Sequence, residues 1–144
     1  MDIIIVDDTQ TAIDALAKKL KNYPNVTVAG FANNGKDGLE LWKHFQPDVI
    51  VSDIDMPIMD GIEMVKKIRE IDGDTIILFT TGLTSPKDLK AGYAAGANNY
   101  VKKPFVPEEL DAHIQSLMRL KQGKRSLDNS HLIKLGKYIL HADH

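Results

Sequence analysis

Carboxylates, hydroxyls and lysines recur in this chain where short apolar runs stop. Asp7-Asp8 follows the run Asp2–Val6, and Asp53 follows Asp48–Ser52 inside the segment Ser52-Asp53-Ile54-Asp55-Met56-Pro57-Ile58-Met59-Asp60-Gly61. Thr80-Thr81-Gly82 closes a fourth run, and Lys102-Lys103-Pro104-Phe105 follows a fifth. Taken singly, each piece has a bland reading: an acid after a strand is usually a helix cap, and a lysine before proline is usually surface decoration. Brought together they would do chemistry. Three crowded carboxylates repel and need a cation, and an all-oxygen ligand set without imidazole or thiolate suits a hard ion, Mg²⁺ above all. A lysine and a hydroxyl beside that ion would face an anion, and carboxylates, Mg²⁺ and lysine together describe a site for a phosphoryl group.

The elements between these residues decide whether they meet. The apolar runs Asp2–Val6, Val26–Phe31, Asp48–Ser52, Thr75–Thr80 and Asn99–Val101 read as strands. The first, third and fourth are continuous rather than alternating, as for strands covered on both faces. Helical patterns lie between them. Thr9 is placed to cap a helix carrying Ile13, Leu16, Ala17 and Leu20. Asn34 with Asp37, and Asp60 with Glu63, open the next two, bearing Leu39, Trp42 and Phe45, then Val65 and Ile68. Ser85-Pro86-Lys87-Asp88 opens a fourth, which holds Gly92, ends at Gly96 and reads as the least stable. Pro107-Glu108-Glu109 starts the fifth, with Leu110, Ile114, Leu117 and Met118 in one stripe. Five βα units predict an α/β fold, a doubly wound five-stranded parallel sheet between two helical layers. Functional residues then gather at the carboxyl edge of the sheet, where every residue named above falls.

In this order and spacing, DDTQ, DIDMPIMDG, TTG and GANNYVKKPF resemble the receiver domain of two-component response regulators, over about residues 1–120. The resemblance implies a flavodoxin-like (βα)5 fold and a phosphorylation-activated switch. Asp53 would take a phosphoryl group from a sensor histidine kinase, and Mg²⁺ would be held by Asp8, Asp53 and the backbone carbonyl of Asp55, with Asp7 acting through water. Lys103 would pair with the phosphoryl oxygens, Thr81 would turn its hydroxyl to them, and Tyr100 would turn inward behind it. Counting back from Lys103 without a gap selects Thr81, whereas a one-residue slip selects Thr80; Lys102 would be the outward neighbour of Lys103. The only chemistry would be self-phosphorylation from a phosphodonor and autodephosphorylation. A phosphorylation-dependent homodimer through the fourth helix, fifth strand and fifth helix would be open to it. Asn98-Asn99 and His113 depart from the two acids and the arginine common in the transcription-factor class, which puts that dimer in doubt.

Charge and length bound the rest. The 144 residues suit one compact domain, 43% of them are hydrophobic, and there is no cysteine for disulfides or thiolate chemistry. Residues 119–144 carry six basic and two acidic side chains, so the net −2 of the chain resolves into a basic tail and an acidic main domain, itself a poor partner for DNA. No apolar run approaches the roughly 18 residues of a membrane span, and cytoplasmic location is the expectation. Residues 121–130 read as a linker. Residues 131–144, with His131-Leu132-Ile133-Lys134-Leu135-Gly136-Lys137-Tyr138-Ile139-Leu140, are similar to the opening strand of a winged-helix effector domain. Transcriptional output through a DNA-binding domain beyond His144 is one reading, and a stand-alone receiver acting by protein binding is its competitor. A phosphatase of the haloacid dehalogenase type would use Asp53-Ile54-Asp55, but that motif normally follows a first strand rather than a third. His141 and His144 read as a solvated tail, His44 and His113 as surface residues, and Trp42 as a helix-face residue.

Overall fold

The computed structural model describes residues 1–82, 86–103, 105–106 and 108–120, and for residue 88 the backbone alone. The strands are β1 (Asp2–Val6), β2 (Thr27–Ala32), β3 (Val49–Ser52), β4 (Ile76–Thr81) and β5 (Asn99–Lys102). They alternate with α1 (Gln10–Leu20), α2 (Gly35–Phe45), α3 (Gly61–Arg69) and α4 (Pro86–Ala95). A fifth helix, α5, spans residues 108–120. All pairings are parallel, in the order β2-β1-β3-β4-β5.

The continuous apolar strands divide residue by residue between two cores, because successive side chains point to opposite faces. Ile4, Val6, Ile50, Ile77 and Phe79 face Leu39 and Trp42 of α2 and Met64, Val65 and Ile68 of α3. Ile3, Ile5, Val49, Val51, Ile76 and Leu78 face Ile13 and Leu20 of α1 and Leu110 and Ile114 of α5. Each fully buried aliphatic contributes about 1.5–3 kcal/mol of transfer free energy. A one-residue slip in any central strand would exchange its two faces, so burial on both sides pins the register that positions the loops.

Strand limits shift by a residue at several ends. Thr75 is left out of β4 because the carboxylate of Asp72 takes both its N–H and its hydroxyl, and Thr81 joins β4 by pairing with Lys102. Asn34 accepts from the N–H of Asp37 at 2.8 Å and Asp60 from that of Glu63 at 2.8 Å, the two caps expected. Thr9 occupies the N-cap position of α1 but makes no side-chain capping bond. Its N–H instead donates to Asp7 Oδ1 at 3.0 Å, which fixes the carboxylate rather than the helix. Of the expected starts of α4 and α5, Ser85 and Pro107 lie outside the described residues, as do the linker 121–130 and the tail 131–144.

Gly92 of α4 is also a packing position. A Cβ there would meet the Tyr100 hydroxyl at 1.8 Å and the Phe79 ring edge at 3.3 Å, so this glycine leaves room for Tyr100 rather than merely loosening a helix. Gly96, at φ +118°, ends α4 in a backbone conformation that side chains resist.

Candidate functional site

The register brings the sequence-predicted residues to one edge. Val6 pairs with Ser52 and Ser52 with Phe79, so Asp7 and Asp53 emerge from neighbouring strands one residue beyond. Asp53 N–H donates to the Val6 carbonyl at 2.8 Å, and Lys103 N–H to that of Thr81 at 2.7 Å, which ties the strand ends together. Among the described residues, Asp7, Asp8 and Asp53 form an acid cluster with ligand oxygens within 4.8 Å of one another. Asp7 is buried, Asp53 half-buried and Asp8 exposed. Such an all-oxygen set fits a hard divalent cation, whose charge would offset the mutual repulsion.

Lys103 meets this cluster and Lys102 does not. The Lys103 ammonium donates to Asp7 Oδ2 at 3.1 Å and lies 3.8 Å from Asp53 Oδ2, whereas Lys102 faces solvent. Asp53 has a pKa above the ordinary carboxylate value. Burial is the main cause; Lys103 and the Ile54 N–H, which donates to Oδ1 at 2.8 Å, pull the other way, and Asp7 and Asp8 push it up again. Burial therefore outweighs the lysine and the N–H that favour the charged form.

The loop from Asp53 to Asp60 is held on two sides. Gly61 N–H donates to the Ile54 carbonyl at 2.8 Å and Gly35 N–H to that of Met59 at 2.7 Å. A Cβ at Gly61 would stand 2.4 Å from the Asp53 carbonyl oxygen, so only glycine lets α3 begin this close to the acid. Within the loop, Ile58 has φ 68° and is 78% exposed. A β-branched residue in the left-handed region is an outlier, so this loop is strained where it meets solvent.

Thr80 and Thr81 are both buried at the end of β4. Thr80 lines, with Asp7, Lys103, Leu16, Val51 and Phe105, a cavity of about 550 Å³ beside α1. Tyr100 sits inward in this structure: its hydroxyl donates to the Leu89 carbonyl at 3.2 Å, and its ring packs on Phe79 and Tyr93. Asp55 is exposed beside Asp53.

Sequence reasoning passed over three contributors. Asn33 donates to the Asp7 carbonyl at 3.3 Å, and the Ser52 hydroxyl to the Asp53 carbonyl at 2.7 Å. His113, expected at the surface, is half-buried, with Nδ1 3.0 Å from the Asn99 amide. Only Asn33 left a signal, as a turn-type residue directly after a strand.

Residues 3–115 match the family model described as the response regulator receiver domain. The chain is similar to the transcriptional regulatory protein PrrA of Mycobacterium tuberculosis, at 33% identity over 93% of this chain and 56% of that protein. It is similar also to the chemotaxis protein CheY of Halobacterium salinarum, at 34% identity over 76% of this chain and 91% of that one. Among solved structures it resembles the response regulator domain of Thermotoga maritima CheB, with a TM-score of 0.77 and 28% identity over 83% of this chain and 96% of that one. The chain thus spans about half the length of the transcriptional relative and nearly all of the chemotaxis protein.

Proposed function

The chain belongs to the response regulator receiver family, and on that footing we propose that Asp53 is its phosphoacceptor and a sensor histidine kinase its phosphodonor. The observation that carries this reading is the placement of Asp53: within 4.8 Å of the ligand oxygens of Asp7 and Asp8, and 3.8 Å from the Lys103 ammonium. A carboxylate oxygen of Asp53 attacks the phosphorus of a phosphohistidine. The new O–P bond forms as the P–N bond breaks, and the imidazole leaves with the electron pair. Lys103 is positioned to turn from Asp7 to the incoming phosphoryl oxygens. Asp8, Asp53 and the Asp55 carbonyl would hold Mg²⁺, with Asp7 acting through water. Bound there, the ion would neutralise the crowded oxygens. Asp7 is already engaged by Lys103 and by the Thr9 N–H, which supports its indirect part.

The modified Asp53 adds charge and acceptor oxygens at the ends of β3 and β4. Thr81 is the hydroxyl assigned to respond, and Tyr100, already packed over Gly92, holds the inward position behind it. The changed surface would be α4, β5 and α5. Any homodimer made there would form without the acid–arginine pairs, since Asn98, Asn99 and His113 stand where the transcription-factor class has two acids and an arginine.

Residues 1–120 are assigned to the receiver, 121–130 to a linker and 131–144 to the start of an effector domain. Transcriptional output is favoured because the likeness to PrrA covers 93% of the chain and so runs past residue 115, where the family match stops. The chemotaxis relative supports the second reading, a receiver acting through protein binding.

Intact mass after incubation with a small phosphodonor tests the chemistry. Wild type gains one phosphate only with Mg²⁺, and Asp53→Asn gains none; Thr81→Ala is expected to change the lifetime of the modified state more than Thr80→Ala. Uptake by Asp53→Asn would sink the assignment.

A further inference from the structure

The edge strand β5 carries a hydrogen-bonded chain that the acid cluster does not use. The Tyr93 hydroxyl, from α4, donates to Asn99 Oδ1 at 3.0 Å. The Tyr100 N–H donates to the same oxygen at 2.9 Å. The Asn99 amide nitrogen lies 3.0 Å from Nδ1 of His113 on α5. One asparagine side chain therefore joins three elements.

Hydrogen positions follow from this set of contacts. A backbone N–H can only donate, so the Asn99 oxygen must face Tyr100 and the Asn99 NH₂ must face His113. His113 Nδ1 is then the acceptor, the ring proton sits on Nε2, and the imidazole is neutral. We propose that His113 is a proton-operated latch, closed on Asn99 when neutral and released when protonated, which couples α5 to β5 and α4 according to pH. A protonated ring has N–H on both nitrogens, so donor would face donor across 3.0 Å. Turning the Asn99 amide over would not repair the contact. It would set NH₂ against the Tyr100 N–H, which can only donate, and so lose that bond.

Histidine is the side chain whose ordinary charge change falls between pH 5 and 8. Across Asn99 the titratable group facing it is Tyr93 of α4. From β5 the contact is the neutral Asn99, with Lys102 exposed three residues on, and on its own helix Glu109 stands exposed one turn earlier. No carboxylate closes on the ring among the described hydrogen bonds and ion pairs, so nothing there compensates the lost bond. The consequence reaches beyond α5. β5 runs directly into Lys103, and α4 holds Tyr100 through the Leu89 carbonyl. The latch stands on Tyr93, Asn99 and His113 alone and does not depend on the assignment of Asp53.

Nuclear magnetic resonance on the unphosphorylated full chain from pH 8 to pH 5 tests it. The Asn99 side-chain amide signals should move with the same midpoint as the His113 ring, and amide-exchange protection along α5, taken relative to the intrinsic rate at each pH, should fall at least tenfold below it. Asn99→Asp gives the protonated ring a carboxylate partner and should raise the His113 midpoint by about one unit or more, leaving exposed His44 unmoved. His113→Gln keeps an acceptor facing Asn99 at every pH and should flatten both responses. Asn99 signals indifferent to the His113 titration, or an unmoved midpoint in Asn99→Asp, would overturn the latch.

Discussion

Asp53 and Asp72 stand at opposite edges of one sheet and have opposite surroundings. Asp72 precedes β4. Burial alone would raise its pKa, but the Thr75 hydroxyl, the N–H groups of Asp74 and Thr75 and the charge of Arg69 lower it on balance. Its neighbours are bonded too: Trp42 Nε1 donates to Thr75 Oγ1 at 3.0 Å, and Arg69 reaches the Gly96 carbonyl at 2.9 Å and Asn98 Oδ1 at 3.0 Å. Asp53 follows β3, accepts one backbone N–H, shares one lysine with Asp7 and has its pKa raised. One edge satisfies its carboxylate and the other withholds satisfaction. That difference separates a carboxylate that its neighbours hold in the charged form from one that burial disfavours as a charge.

Breaking the satisfied edge should cost most. Asp72→Ala strips an acceptor from two N–H groups and a hydroxyl and removes the charge facing Arg69, and is expected to lose about 2–4 kcal/mol in urea unfolding at pH 7. The folded-state pKa of Asp72 is depressed, so its contribution is full above about pH 4 and disappears as pH falls through the lowered value. Wild type and variant should therefore converge in acid; a gap that persists there would assign the loss to packing.

The unsatisfied edge predicts the reverse sign. Asp53 ionises against a raised pKa, so its charge costs the fold stability at neutral pH, and the cost fades as pH falls through that value. Asp53→Asn should melt a few degrees higher than wild type at pH 7 without metal. Mg²⁺ at ten times its dissociation constant should stabilise wild type by about 1.4 kcal/mol and the variant far less. Equal stabilisation of both would place the ion elsewhere.

Strain supplies the smallest effect. Ile58→Gly relieves a left-handed β-branched residue and loses little packing, and should gain about 0.5–1 kcal/mol after the entropy cost of glycine. No gain in a thermal melt would mean that the loop is not strained at this position.

The sequence by itself determined the parallel sheet, because continuous runs such as Ile3–Val6 and Ile76–Phe79 have no polar face to turn to water. It also determined the edge of the sheet at which the chemistry collects, since chain order forces Asp7, Asp53 and Lys103 onto strand ends. The caps at Asn34 and Asp60 were legible for the same local reason: a side chain and the N–H it binds lie three residues apart. What depended on distant residues was not legible. Gly92 gave no sign of the Tyr100 hydroxyl packed over it, and Thr9 holds the N-cap position of α1 without the side-chain bond its type suggests. His113 looked exposed until β5 set Asn99 against it. Tertiary structure decided these because each rests on which donor finds which acceptor across elements far apart in the chain, and periodicity carries no information about that pairing.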